Sequence, residues 1–146
     1  MNIKNIVVAG GGVLGSQIAF QSAYKGFNVK VWLRMESSIG RAKPKFERIE
    51  KIYQETLQAM KTNPAAYCRG LADSPELTEA QIDELIANAK HAMDRIEFTL
   101  SHEEAAKDAD LVIGAIAENP AEKVEFYQTM AKYLPDSAII VTNSST

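Results

Sequence analysis

Cysteine is almost missing from this chain of 146 residues: Cys68 stands alone, so no internal disulfide can form. Histidine is nearly as scarce. His91 and His102 are the only two, and no His/Cys cluster has metal-ligand spacing. Charge of one sign is not in excess. Sixteen Lys and Arg against nineteen Asp and Glu leave a net charge of -3. That balance offers no basic surface to a nucleic acid or an anionic membrane. No apolar run approaches the roughly 20 residues that span a bilayer. No basic segment with an apolar core precedes the first strand, so no secretory leader is expected. Together these absences point to a reduced, cytoplasmic, metal-free protein with neither nucleic acid nor membrane as partner. The 46% hydrophobic and 24% charged content is that of one globular domain with a real core.

What is present starts at the N-terminus. The apolar run Ile6-Val7-Val8-Ala9 leads straight into Gly10-Gly11-Gly12-Val13-Leu14-Gly15. This is G-x-G-x-x-G after a predicted strand and opening a predicted helix, the setting a dinucleotide fingerprint requires. Gly10 serves the sharp turn, Gly12 lets a pyrophosphate approach the backbone, and Gly15 lets the helix pack on the strand. The amides of Val13, Leu14 and Gly15 then face the phosphates with the positive helix end behind them. Cofactor-binding candidates are therefore Gly10, Gly12, Val13, Leu14 and Gly15.

Alternating apolar periods predict a strand over 3–9, a helix over 13–25 and a strand over 28–33, a parallel βαβ unit. The expected inner face of the first helix is Leu14, Ile18, Ala19, Ser22 and Ala23. Residues 35–43 read as loop. A helix over 44–61 carries Phe46, Ile49, Tyr53, Leu57 and Met60, and Asn63-Pro64 stops it. After an irregular stretch, Thr78-Glu79-Ala80-Gln81 is a capping box, followed by Ile82, Leu85, Ile86, Ala89 and Met93. These two helices, at about 44–95, form an excursion whose stripes serve packing. Alternation then resumes with a strand over 96–100, a short helix from Ser101 through Lys107, and an apolar strand over 111–116. A helix opening at Asn119-Pro120 follows, with Val124, Tyr127, Ala131 and Leu134 as its inner face. The last predicted strand covers 138–142. The fold class is α/β, a Rossmann-type doubly wound parallel sheet with a helical-hairpin excursion after strand two.

The residue expected to bind the adenosine ribose lies at the end of strand two, about 20 residues past the glycines. That residue is Leu33, which cannot accept a hydroxyl hydrogen bond. Arg34 follows, with Ser37, Ser38, Arg41 and Lys43 behind it. A guanidinium suits a 2′-phosphate, which favours NADP as the cofactor over NAD. The bland alternative makes Arg34 a solvated loop charge and lets Glu36 reach the ribose. His91, His102 and Cys68 have no partners at suggestive spacing and read as structural. Glu118 and Asn119, and then Asn143-Ser144-Ser145, follow two predicted strands at the carboxyl edge, where ligands of such sheets lie.

Three stretches carry a family resemblance: residues 6–15 (IVVAGGGVLG), 109–123 (ADLVIGAIAENPAEK) and 142–146 (TNSST). The chain resembles the N-terminal, cofactor-binding domain of 3-hydroxyacyl-CoA dehydrogenases, including 3-hydroxybutyryl-CoA dehydrogenases. The resemblance implies an NAD(P)-binding domain over 1–146, serving hydride transfer between 3-hydroxyacyl-CoA and 3-ketoacyl-CoA. It implies cofactor contacts at Glu118, Lys123 and Asn143, and a catalytic serine at Ser145 that hydrogen-bonds the substrate's 3-oxygen. It also implies acyl-CoA as partner, with Lys43 and Lys45 available to phosphate by charge. Two positions depart from the pattern: Gly114 stands where the family usually has glutamate, and Leu33 where it has aspartate. The family's catalytic histidine, and the helical C-terminal domain that forms its homodimer, come after the Asn-x-Ser-Ser segment. The expectation is a fragment that binds cofactor without turning over substrate. The rival is a regulatory module that senses NAD(H) and does no chemistry, since fold alone does not exclude it.

Overall fold

The computed structural model describes residues 2–116 and 120–142. Five parallel strands make one sheet in the order β3-β2-β1-β4-β5. They are β1 (Asn5–Ala9), β2 (Asn28–Trp32), β3 (Ile96–Thr99), β4 (Leu111–Gly114) and β5 (Ile139–Thr142). The helices are α1 (Val13–Tyr24), α2 (Glu36–Met60), α3 (Glu79–His91), α4 (His102–Ala106) and α5 (Pro120–Ala131). Short 3₁₀ turns at Pro64–Ala66 and Ala92–Arg95 complete the excursion.

Helices cover both faces of the sheet, which is why β1 is apolar without alternation. Ile6 and Val8 join Val29 and Val31 in one core with Phe20, Phe46, Leu57 and Ile82 of α1, α2 and α3. Val7 and Ala9 join Trp32 and Val112 in a second core with Phe126 and Met130 of α5. The doubly wound α/β class is as expected from the sequence. So is the Thr78 capping box, whose two reciprocal hydrogen bonds both form.

Three local expectations fail, each for a packing reason. Residues 36–43 are helix, not loop. Helix α2 starts at Glu36 and runs through Pro44, which lies inside it. A proline there removes one backbone bond and costs about 3 kcal/mol. Ala42 and Phe46 flank it and are both fully buried in the core, and two anchored side chains hold the helix on course. The inner face of α1 is also rotated from expectation. It consists of Gly15, Ser16, Ala19, Phe20, Ala23 and Tyr24, whereas Leu14 is 46% exposed. Gly15 must meet the backbone of Gly10, and that contact sets the helix phase. Ser16 is tolerated inside because its hydroxyl donates to the Gly12 carbonyl at 2.7 Å. In α5 the deeply buried residues are Phe126 and Met130. Tyr127 and Leu134 pack beside them, but Val124 is 53% exposed and Ala131 lies outside. Trp32 takes Phe126 as its ring partner at 4.7 Å, which turns the helix. The predicted Asn119 cap lies outside the described residues.

At the opposite end of the sheet, Asp110 ties β1 to β4. Its Oδ2 accepts from the amides of Lys4 and Asn5, both at 2.9 Å. These two backbone bonds hold its carboxyl below the usual carboxylate range. A depressed folded-state value stabilises the fold above the unfolded value and loses that contribution as pH falls. Asp110→Ala is expected to lower the urea midpoint at pH 7. The gap to the wild type should close as pH drops below about 4, near the ordinary aspartate value. A gap independent of pH would show that the carboxylate charge is irrelevant.

Candidate nucleotide-binding site

The site lies where the sheet order reverses, at the carboxyl ends of β1 and β4. Gly10 leaves β1 with φ +110°, a conformation that L side chains rarely adopt. Its amide donates to the Trp32 carbonyl at 2.9 Å, so the turn is pinned to the end of β2. A Cβ on Gly10 would strike the Ala115 carbonyl, and one on Gly15 would strike the Gly10 carbonyl. A Cβ on Gly12 would meet no protein atom within 4 Å. Two of the three motif glycines are thus filled in by backbone, and the third opens onto space. Gly12 is also the N-cap of α1 and brings no side-chain cap. The first-turn amides of Val13, Leu14 and Gly15 therefore point out of an uncapped, positive helix end. Such a cradle fits a diphosphate.

The crevice around this turn encloses about 460 Å³. It brings together the predicted Gly10, Gly12, Val13, Leu14, Gly15 and Arg34. Leu33 is buried, and its Cδ2 lies 2.7 Å from where a Gly11 Cβ would stand. The residue at the ribose-acid position is used for packing under the turn and accepts no hydrogen bond. Arg34 donates instead to Oε1 of Glu122 on α5 at 2.9 Å. Its side chain is 48% exposed, so it is both solvated and paired.

Helix α2 adds Arg41, which the sequence reading set behind Arg34 in a loop, and Lys45, which it offered to phosphate by charge alone. Ser38, Arg41 and Lys45 lie three to four residues apart on one helical face, and all line the crevice. Arg41 donates to Ser38 Oγ at 3.0 Å. Lys45 donates weakly to the Gly11 carbonyl at 3.4 Å. Lys43, by contrast, is on the exposed side. Reading residues 36–43 as helix would have revealed this face. Glu122 was missed altogether; no pattern in the sequence links it to Arg34. Lys123 is next to it on α5 but is not among the described residues that line the crevice. Glu118, Asn143 and Ser145 lie outside the described residues.

Neither histidine lines the crevice itself, although His102 borders an adjoining hollow with Trp32, Arg34 and Glu122. His102 stacks on Trp32 at 4.8 Å and on Phe126. Partial burial lowers its pKa from the usual histidine value, with Glu125 opposing. His91 faces Asp94 on the surface. No group of metal-ligating side chains occurs among the described residues. None of their helices is long and apolar enough to cross a membrane.

The family described as 3-hydroxyacyl-CoA dehydrogenase, NAD binding domain, matches residues 5–146. The chain belongs to this family. As an NAD-binding domain it is 31% identical over 145 residues to a probable 3-hydroxybutyryl-CoA dehydrogenase of Bacillus subtilis (strain 168). That alignment takes in 99% of this chain and 42% of the relative. A solved diketoreductase, described as carrying out substrate-directed dual catalysis of dicarbonyl compounds, superposes with a TM-score of 0.76 at 32% identity. It covers 100% of this domain and 43% of its own chain is covered. The (S)-3-hydroxybutyryl-CoA dehydrogenase of Ralstonia eutropha shares the fold, with a TM-score of 0.70 at 20% identity over 99% of this domain and 42% of that chain. The NAD-binding domain thus spans less than half the length of these relatives.

Proposed function

We propose that this domain holds the nicotinamide nucleotide of an oxidoreductase that interconverts 3-hydroxyacyl-CoA and 3-ketoacyl-CoA. One observation carries the reading: the uncapped start of α1 opens from the Gly10 turn at the switch point of a sheet of this family. When bound, NAD or NADP would supply the hydride acceptor or donor. The Val13, Leu14 and Gly15 amides hold the diphosphate. Arg34, with Ser38 and Arg41 behind it, offers donors to a 2′-phosphate, which supports NADP as a ligand alongside NAD. The family resemblance supports Glu118, Lys123 and Asn143 on the nicotinamide side and Ser145 on the substrate oxygen. It equally supports acyl-CoA as substrate and a homodimeric parent with a C-terminal helical domain, while the single cysteine and the composition support a cytoplasmic setting.

Reduction of a 3-keto group needs a proton donor beside the developing alkoxide. Among the described residues that line the crevice there is no histidine. The 146-residue chain should bind nucleotide and leave acetoacetyl-CoA unreduced. Trp32, the single tryptophan, lines the crevice and reports binding by its fluorescence. Titration with NADH and NADPH should quench it saturably. Arg34→Ala should weaken NADPH about tenfold, the loss of one charge-assisted hydrogen bond, and leave NADH nearly unchanged. Absence of any saturable change would overturn the assignment of the site. Tighter NADH binding indifferent to Arg34→Ala would end the NADP part alone.

A further inference from the structure

Glu122 is the only carboxylate among the described residues that line a crevice otherwise rich in cations. A site for a polyanion gains nothing from a negative charge unless that charge discriminates between ligands. Glu122 stands on α5, and Arg34 stands just past the end of β2. Their ion pair at 2.9 Å spans two walls of the crevice beside the end of β2. The β2 position that would normally present an acid is Leu33, and it is turned into the packing beneath Gly11.

We propose that Glu122 is the specificity-determining residue for the adenosine 2′-substituent, delivered from α5 in place of an acid on β2. The proposal rests on the reading that a nicotinamide nucleotide occupies this crevice. A bare ribose presents a 2′-hydroxyl, which can donate to the Glu122 carboxylate while Arg34 stays paired. A 2′-phosphate is acceptor-rich and doubly charged. It must draw Arg34 away from Glu122 and then sit beside that carboxylate. Like charges at that separation repel, and a guanidinium cannot satisfy two anions bidentately at once. Arg34 therefore favours the phosphorylated nucleotide and Glu122 opposes it, and the pair sets the balance. Both side chains are partly exposed, 48% and 31%, so the bridge contributes little to folding and can open at small cost.

The experiment measures dissociation constants of NADH and NADPH for the wild type, Glu122→Gln, Arg34→Ala and the double variant. Trp32 quenching gives the constants, and urea midpoints check the fold. Glu122→Gln keeps the side-chain volume and should leave the midpoint unchanged. It should shift the NADPH/NADH preference towards NADPH about tenfold, or about 1.4 kcal/mol. In the Arg34→Ala background the same substitution should shift it in the same direction and at least as far, because the carboxylate then meets the 2′-substituent without the guanidinium beside it. An unchanged preference in Glu122→Gln overturns the proposal. So does a shift that vanishes in the Arg34→Ala background, which would leave Glu122 only a holder of Arg34. Failure of every variant and of the wild type to bind either nucleotide would instead overturn the site itself.

Discussion

Gly15→Ala is expected to cost about 3 kcal/mol of stability and to weaken nucleotide binding at least tenfold. The new Cβ would strike the Gly10 carbonyl, with the Gly10 carbonyl carbon at 3.0 Å and the Ala115 Cβ at 3.6 Å behind it. None of these can rotate away, since two are backbone and one is a methyl held in the strand-end packing. Helix α1 must back off from β1, and Ala19, Phe20 and Ala23 leave their core contacts with it. Overpacking of this kind sits at the upper end of the usual 1–3 kcal/mol range. Displacing the helix also moves its free amides from the diphosphate position. Gly12→Ala provides the contrast. Its Cβ meets no protein atom within 4 Å, and Gly12 already has φ -73° and ψ -168°, which alanine adopts. Loss of the preferred cap residue should cost about 1 kcal/mol or less, while nucleotide affinity falls as steeply as for Gly15→Ala. Urea unfolding and Trp32 titration on the two variants separate these outcomes. A stable Gly15→Ala with normal affinity would show that the close approach of α1 is not what builds the site.

Gly114→Ala should destabilise the domain by about 2 kcal/mol, and the loss should depend on Tyr127. The added methyl would land on the Tyr127 hydroxyl, with the ring carbon Cζ 3.0 Å away. Tyr127 packs against the core under β4 and its ring meets Phe126 at 5.3 Å. It can yield only by leaving that contact. In a Tyr127→Leu background the space is vacant, and Gly114→Ala should then cost less than about 0.5 kcal/mol. The double-mutant cycle reads the coupling directly, near 1.5 kcal/mol for residues that share one space. Additive losses would refute it.

The sequence alone was enough for the glycine turn, the order of strands and helices, and the stripes of α2 and α3. These are local properties: a fixed period of apolar residues, a cap, and a turn that only glycine accepts. The same locality explains where it fell short. Pro44 and the polar run before it look like loop to any nearest-neighbour argument, and only burial of Ala42 and Phe46 on the sheet keeps them helical. The inner faces of α1 and α5 depend on a rotation about the helix axis. Gly15 against Gly10 and Phe126 against Trp32 decide that rotation, and both are contacts across the fold. The alignment of Ser38, Arg41 and Lys45 along the crevice follows from the unforeseen helix start. The Arg34–Glu122 pair joins residues 88 positions apart in the chain. Chain spacing carries no distance information at that range. Only the packing of Phe126 of α5 on Trp32 at the end of β2 brings the two charges within hydrogen-bond reach.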